Sequence, residues 1–346
     1  MVTSEQVARL AGVSRATVSR ALNGSPKVSE RARSRVQEAI ASLGYEPDVV
    51  AQSLVRQRSR TIALCLFYDK KGIALAPFAQ TRRYFYLDML NDVEQAISAE
   101  SYDLLLPSSP LSQKNYVRSL QMRRVAGVLA ISLSPNDPRI EELITSDLPT
   151  VFVDSVAQGK HATYVTSDNS DGSRQATEYL LALGHRHIAV IAGSIVGPIG
   201  MERLLGCQRT LAQAGLTLDP DLIVQAGWNI EEAYQATREL LARRRDFTAI
   251  LAGSDLMAIG ILRALHEQGI RVPEEVSVVG FDDVNLSSYS EPPLTTVRQD
   301  REEMSRSAVQ LLINMIEENA AASPVIVPTK LIVRASTAEI HRGRCV

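Results

Sequence analysis

A short polar segment near the N-terminus, residues 11–25 (AGVSRATVSRALNGS), carries side chains whose types and spacing suit contact with nucleic acid. If the segment is helical, one exposed strip collects Arg15, Ala16, Ser19, Arg20 and Asn23. Arginine can donate a fork of hydrogen bonds to guanine O6 and N7, and a small residue lets the backbone approach the bases. Serine and asparagine can donate to phosphate oxygens. The strip therefore predicts a DNA-reading surface, with a merely solvated helix face as the plainer alternative.

Three short predicted helices position this strip. Thr3 begins a capping box for the first helix, which is expected to end at Gly12. Ser14 is the predicted N-cap of the second helix, whose apolar positions face the first. A third helix over about residues 29–43 completes a minimal core. The pattern predicts an all-α helix-turn-helix headpiece.

Length and charge set the wider frame. At 346 residues the chain exceeds one ordinary core, so two or three domains are expected. Residues 1–60 hold ten Lys or Arg against five Asp or Glu, although the net charge of the whole chain is −2, so the basic end is the candidate for a polyanionic partner.

No membrane-length apolar run or signal peptide is recognised, which predicts a cytoplasmic protein without membrane contact. The spacing of Cys65, Cys207 and Cys345 predicts neither a metal site nor a disulfide scaffold.

From residue 61 onward, short apolar runs alternate with amphipathic stretches. The rhythm starts at TIALCLF and restarts at YVTSD, and such βαβ alternation predicts two doubly wound lobes with parallel sheets. Polar residues stand where strands end, namely Asp154, Asp168, Ser254, Asp255, Asp282 and Asp283. Ligands bind at the carboxyl ends of strands in such sheets, so a cleft between the lobes is expected. Capping of the following helix is the alternative, and we expect it for Asp255 and Asp171.

An enzyme is the main competing class. Asp282 with Asp283 offers paired carboxylates, and the GHRH segment offers His185 and His187. Neighbouring residues on extended backbone point to opposite sides, so neither pair converges on one substrate. The sequence also lacks GxSxG, HExxH and Walker A motifs. We therefore predict no catalytic residues, no metal site and no cofactor, and a structural role for His185 and His187.

The first sixty residues resemble the DNA-binding headpiece of the LacI family of bacterial transcriptional regulators, continuously from TSEQVARLAGVS to DVVAQSL. The resemblance implies base contacts from Arg15, Ala16 and Arg20. It implies phosphate contacts from Thr3, Ser14, Thr17, Ser19 and Asn23. The hinge of the family matches YEPDVVAQSLVRQRSR, with Leu54, beside Ala51, as an apolar wedge in the minor groove. Asp48 departs from the usual asparagine of that hinge.

The remainder resembles the core of the same family, which is itself similar to periplasmic sugar-binding proteins. The motifs that carry the resemblance include SDNSDGSRQATEYLLALGHRH, ILAGSDLMAIGILRAL and VSVVGFDDVNLSSYSEPPLTTVRQD. By position it implies effector contacts from Asp282, Arg203, Asp154, Trp228, Ser254, Phe85 and Tyr84. Two departures leave the ligand open: a longer, basic loop at residues 68–83, and Ser254 where sugar-binding members have asparagine.

The resulting hypothesis is a homodimeric transcriptional regulator, expected to be a repressor, that binds a near-palindromic operator. Its effector is expected to be a sugar; a purine or nucleoside, a sugar phosphate or a protein corepressor are the alternatives, and a sugar-processing enzyme on the same core is the remote one. The predicted domains are a headpiece (1–46), a hinge (47–60), a two-lobed core (61–340) and a tail (341–346). Within the core, one lobe is predicted over about 61–157 plus 291–320, and the other over about 158–290 plus 321–340.

Overall fold

The structure is a computed structural model that describes residues 2–22, 25, 27–45, 59–66, 84–107, 115–318 and 321–340. The chain forms two compact units, Met1–Arg60 and Thr61–Val346. Several predicted features lie outside the described residues: Asn23, Asp48, Ala51, Leu54, the loop 68–83, the tail and the side chain of Tyr84. Within the described residues, no helix is both long and apolar enough to cross a bilayer.

The first unit contains three helices, α1 (Ser4–Ala11), α2 (Arg15–Leu22) and α3 (Glu30–Leu43). The predicted capping box on α1 is confirmed, because the Thr3 side chain accepts from the Gln6 amide while the Gln6 side chain accepts from Thr3 N–H. Gly12 and Gly44 end α1 and α3 in the left-handed region, at φ 62° and 58°, where glycine is favoured. The shared core buries Val7, Ala8, Ala11, Val18, Val36 and Ala39.

The second unit alternates strands and helices. Its strands are β1 (Thr61–Leu66), β2 (Asp103–Leu105), β3 (Gly127–Ile131), β4 (Thr150–Val153), β5 (Ala162–Ser167), β6 (Ile188–Ala192), β7 (Ile223–Gln225), β8 (Ala249–Ala252), β9 (Ser277–Asp282), β10 (Thr295–Gln299), β11 (Val325–Val327) and β12 (Thr329–Ile332). Its described helices are α4 (Tyr84–Ala99), α5 (Tyr116–Met122), α6 (Pro138–Thr145), α7 (Asn169–Ala182), α8 (Pro198–Gln213), α9 (Ile230–Arg243), α10 (Asp255–Glu267), α11 (Leu286–Tyr289) and α12 (Arg301–Glu318), with a 3-10 turn at Pro220–Leu222.

Two six-stranded sheets organise these elements into two lobes. The first sheet has the order β11-β5-β4-β3-β1-β2 and is parallel throughout. The second has the order β12-β10-β9-β8-β6-β7, with only the edge strand β12 antiparallel. Each sheet buries an apolar cluster on both of its faces. In the first lobe, α4 and α12 cover one face, and α5 and α6 cover the other. In the second lobe, α9 and α10 cover one face, and α7 and α8 cover the other. The lobes are therefore doubly wound, as predicted.

The sheets divide the chain differently from the predicted lobe boundaries. β5 and β11 belong to the first sheet, and β10 belongs to the second, so the chain crosses between the lobes after β5, after β10 and after β11. The correction has a physical reason. The apolar pattern of β5 suits a buried strand in either sheet, and its position is decided by pairing with β4, as in the register of Val153 with Val165.

Candidate functional site

The exposed side of α2 carries the predicted DNA contacts. Arg15, Ala16 and Arg20 are exposed, whereas Val18 on the opposite side is fully buried. Of the predicted phosphate contacts, Thr3 and Ser14 are exposed and Thr17 and Ser19 are partly buried. The headpiece therefore presents one polar strip with two arginines, on a helix whose other side is fixed by the core.

Local hydrogen bonds shape this strip. The Thr17 amide donates to Ser14 Oγ at 3.1 Å, which confirms Ser14 as the N-cap of α2. Arg15 Nε donates to Ser4 Oγ at 3.1 Å, so this guanidinium is held against α1. Within the described residues, the Arg20 guanidinium has no hydrogen-bond partner. The two predicted base-reading arginines thus differ in how far the free protein orders them.

In the second unit, two strand ends bring carboxylates to the space between the lobes. Asp154 follows β4 in the first lobe and is 4% exposed. Tyr86 Oη donates to its Oδ2 at 2.9 Å, and Thr166 Oγ1 donates to its Oδ1 at 3.3 Å. Asp282 ends β9 in the second lobe. Both aspartates adopt positive φ, 57° and 117°, which is uncommon for residues with a Cβ and marks these strand ends as shaped turns.

Arg203 on α8 lies between these groups and is itself nearly fully buried. Its Nε donates to Asn169 Oδ1 at 2.8 Å, and its Nη1 donates to the Gly253 carbonyl at 2.7 Å. Nη1 also lies 3.5 Å from Asp282 Oδ1, so the arginine is paired with the second-lobe carboxylate. The guanidinium stacks on Phe281, 3.6 Å from the ring centre. These contacts fix the cation in one orientation.

Burial controls the ionisation of both aspartates. Desolvation raises the pKa of Asp154 and of Asp282, while the positive charge of Arg203 opposes the shift in each case. The negative charge of Asp154 also raises the pKa of Asp282. The described part of this site thus places two carboxylates near one guanidinium, and each carboxylate accepts a hydrogen bond from a neutral side chain, Tyr86 and Thr166 for Asp154 and Gln299 for Asp282.

Three side chains at this site were not predicted from the sequence. Tyr86 orients Asp154, and Asn169 orients Arg203. Gln299 Nε2 donates to Asp282 Oδ1 at 2.7 Å, while its buried Oε1 has no partner within the described residues. The sequence could have indicated Gln299, because it is the last residue of β10, after which the chain crosses to the other sheet. Tyr86 lies one position beyond the predicted aromatic pair, and Asn169 resembles an ordinary first residue of a helix.

The other predicted effector residues are placed in different ways. Trp228 packs closely against the backbone of Gly193, since a Cβ added to that glycine would lie 2.5 Å from the indole ring. The guanidinium of Arg203 lies 5.6 Å from the centre of the same ring. Ser254 is 6% exposed, and its Oγ accepts from the Met257 amide at the start of α10. Phe85 is buried in the first-lobe core and meets the Tyr86 ring edge-on. The structure therefore places Trp228 beside Arg203, and Phe85 beneath Tyr86.

The predicted helix caps Asp255 and Asp171 are wrong. The N-caps of α10 and α7 are Ser254 and Asp168, one and three residues earlier. Asp255 is fully buried and instead accepts from the Val284 amide at 2.9 Å and from the Ser287 and Thr296 hydroxyls. Because these donors lie beyond β9, the carboxylate ties α10 to the turn that presents Asp282, and burial raises its pKa.

The residues considered as catalytic candidates bond different partners and do not form one site. Asp283 accepts from Arg298 and Arg334, both at 2.6 Å, and takes no part in the contacts of Asp282. His185 is buried and bonds Thr248 Oγ1 and the Ala338 carbonyl, the structural role predicted for it. Within the described residues, no group of three or more His, Cys, Asp or Glu side chains is arranged to hold a metal ion.

Comparison with known proteins gives two family matches. Residues 4–48 match the model of bacterial regulatory proteins of the lacI family. Residues 177–337 match a periplasmic binding protein-like domain. The two models therefore match an N-terminal DNA-binding segment followed by a ligand-binding type of domain.

Similar proteins span the whole chain. The HTH-type transcriptional regulator CelR of Thermobifida fusca is 37% identical over 339 residues, covering 96% of this chain and 98% of CelR. A solved CelR–cellobiose complex is similar at 35% identity and a TM-score of 0.73, covering 97% of this chain and 100% of that one. A lac repressor dimer bound to operator and the anti-inducer ONPF has 29% identity and a TM-score of 0.78, covering 97% and 99%. The chain belongs to the LacI family and is a DNA-binding transcriptional regulator rather than an enzyme.

Proposed function

We propose that the chain is a homodimeric repressor whose affinity for a near-palindromic operator is controlled by a neutral sugar bound between the lobes. The observation that supports the sugar most directly is a pair of carboxylates contributed by opposite lobes, the buried Asp154 and the partly buried Asp282, the second of which pairs with Arg203. A carboxylate can accept hydrogen bonds from two vicinal hydroxyls at once. A polyhydroxylated ligand would therefore satisfy both lobes together.

The charge of the described cleft favours a neutral ligand over a sugar phosphate. Asp154 and Asp282 carry two negative charges when ionised, and Arg203 carries one positive charge whose Nε and Nη1 already have protein partners. A phosphate would add negative charge beside two carboxylates, and two of the three Arg203 nitrogens, Nε and Nη1, already bond protein groups. Neutral hydroxyls add no charge, and Gln299 Oε1 provides a further acceptor.

The relatives support the same ligand class. The similar CelR structure is a cellobiose complex, and the similarity covers 97% of this chain. Trp228 offers an indole face near Arg203 that would cover the apolar side of a sugar ring, and Ser254 and Tyr84 remain proposed contacts.

Control of DNA binding follows from linkage. A ligand changes operator affinity only as far as it prefers one arrangement of the lobes over the other. A sugar that bridges Asp154 in the first lobe and Asp282 in the second has that preference, since its contacts form together only at one lobe separation. The lac repressor structure, a dimer on operator, supports a dimer that presents two headpieces to two half-sites.

On DNA, the two exposed arginines of α2 are proposed to read bases. Arg15 and Arg20 would donate to guanine edges with Ala16 allowing close approach, while Thr3, Ser14, Thr17, Ser19 and Asn23 hold the phosphates. Leu54 and Ala51 of the hinge are proposed to enter the minor groove between the half-sites.

The test is a thermal-shift panel on the full chain with neutral mono- and disaccharides including cellobiose, sugar phosphates and purines. A ligand at 100 times its Kd stabilises the folded state by about 2.7 kcal/mol, enough for a clear rise in Tm. We expect a rise with one neutral sugar, lost in Asp282→Asn, and a matching change in operator affinity. A rise with only a phosphorylated sugar or a purine contradicts the neutral-sugar proposal.

A further inference from the structure

Ser4 contacts Arg15 of the proposed base-reading surface, but it is not one of the residues predicted to contact DNA. It is the first residue of α1, and its Oγ accepts from Arg15 Nε at 3.1 Å, across the join between α1 and α2. The hydroxyl is not needed to cap α1, because Thr3 and Gln6 form that capping box. Its hydrogen bond therefore serves the arginine rather than the helix.

This bond determines which part of the guanidinium remains available. An arginine has an Nε–H and two terminal NH₂ groups in one plane. With Nε bound to Ser4, rotation of that plane is restricted. Within the described residues the terminal Nη1 and Nη2 groups have no hydrogen-bond partner, so they can meet the two acceptors of a guanine edge. Arg20 lies on the same helix but, within the described residues, its guanidinium has no partner to restrict it.

We propose that Ser4 is a positioning residue that holds Arg15 ready for base recognition. The proposal rests on the base-reading role proposed for Arg15. Arginine has many rotamers, and ordering them on binding opposes association. When the free protein already holds the side chain, less of this entropy is lost on the DNA. Ser4 thus raises affinity for the sequence that Arg15 recognises and leaves affinity for other DNA unchanged.

The test first needs a binding site, which the full-length wild-type chain selects from a pool of randomised duplexes. Fluorescence anisotropy then compares the selected duplex with a random duplex of equal length at one salt concentration. Immobilising one rotamer-rich side chain on binding corresponds to about a 2- to 10-fold change in affinity. We expect Ser4→Ala to lose this factor on the selected duplex and nothing on the random one.

Two further comparisons separate positioning from general structure. Ser4→Thr keeps the hydroxyl and should retain wild-type affinity for the selected duplex. In an Arg15→Ala background, Ser4→Ala should have no additional effect, because the side chain that it positions is gone. Ser34→Ala is the matched control, since Ser34 is an exposed serine on α3 that donates to Glu38. Its affinity should equal that of wild type on both duplexes.

Three results would overturn the proposal. Equal losses on both duplexes would make Ser4 a phosphate contact. No loss on either would show that the bond to Arg15 does not contribute to recognition. If Arg15→Ala itself weakens both duplexes equally, the base-reading role fails, and the positioning role fails with it. Circular dichroism of each variant distinguishes these results from unfolding of the headpiece.

Discussion

The headpiece and the cleft use arginine in opposite ways. Arg20 on α2 is exposed and lacks a side-chain partner within the described residues, whereas Arg203 on α8 is buried and bonds Asn169, Gly253 and Asp282. An exposed guanidinium contributes little to folding and is free for a polyanion. A buried one is needed by the carboxylates around it. The proposed sites therefore differ in whether recognition and stability can be separated by mutation.

Arg203→Ala should have the largest effect on the free energy of unfolding. It leaves Asp154 and Asp282 without their buried counter-charge and opens a cavity against Phe281, for an expected loss of about 3–5 kcal/mol. Urea denaturation measures this loss. Arg263→Ala is the matched control, because Arg263 forms an exposed pair with Glu267 and its removal should change stability far less. Similar losses of unfolding free energy for both variants would contradict the expected difference between the buried and the exposed arginine.

Arg20→Ala should leave folding intact and weaken recognition. If Arg20 makes a bidentate base contact, the variant loses about 1–3 kcal/mol on the selected duplex and little on random DNA. Anisotropy titrations at fixed salt measure both affinities. Arg238→Ala, which removes an exposed arginine over the Tyr234 ring in the second unit, should leave both affinities unchanged. Equal weakening on the two duplexes would instead assign Arg20 to a phosphate.

Asp282→Asn should change the pH dependence of stability. Burial raises the pKa of Asp282, so between the unfolded and folded pKa values the native state binds more protons than the unfolded state. The contribution of this group is present at low pH and is lost as pH rises through the folded pKa. Asparagine does not titrate, so the variant should gain about 1–2 kcal/mol relative to wild type as pH rises from about 4 to 8.

Unfolding free energies of wild type and Asp282→Asn at several pH values test this sign. A constant difference across the range would mean that Asp282 titrates normally. The control is Asp147→Asn, which makes the same substitution at a side chain that is 93% exposed.

Tyr86→Phe should have the smallest effect. It deletes the hydroxyl that donates to Asp154 while keeping the ring against Phe85, so the expected loss of stability is about 0.5–1.5 kcal/mol. It should also raise the pKa of Asp154 further, since this bond favours the ionised form. Tyr179→Phe, which deletes a hydrogen bond to Thr337 away from the cleft, gives a matched reference that should not alter sugar affinity.

The helices of the headpiece were predictable from the sequence because the residues that begin and end them act over short sequence distances. Thr3, Ser14, Gly12 and Gly44 act within one turn of the helices that they cap, so spacing alone identifies them. The two-lobed α/β class was also predictable from the alternation of apolar runs, and the family matches confirm it.

The cleft was predictable only in part, because its contacts join distant segments. The strand ends identified Asp154 and Asp282, but the bond of Arg203 to Asn169 spans 34 positions and has no local signature. The same limit explains Asp255, whose donors lie 29 to 41 residues away, and the strands β5, β10 and β11, whose sheet is decided by pairing rather than by composition.

The crossed course of the chain has a consequence for synthesis in the cell. The headpiece has its three helices by residue 43, but the first sheet lacks β11 and the second lacks β12 until residues 325–332 have been made. At translation rates of about 5–20 residues per second, the interval is roughly 10 to 60 seconds. A nascent or truncated chain can therefore carry all three headpiece helices before, or without, the completed sheets of the two lobes.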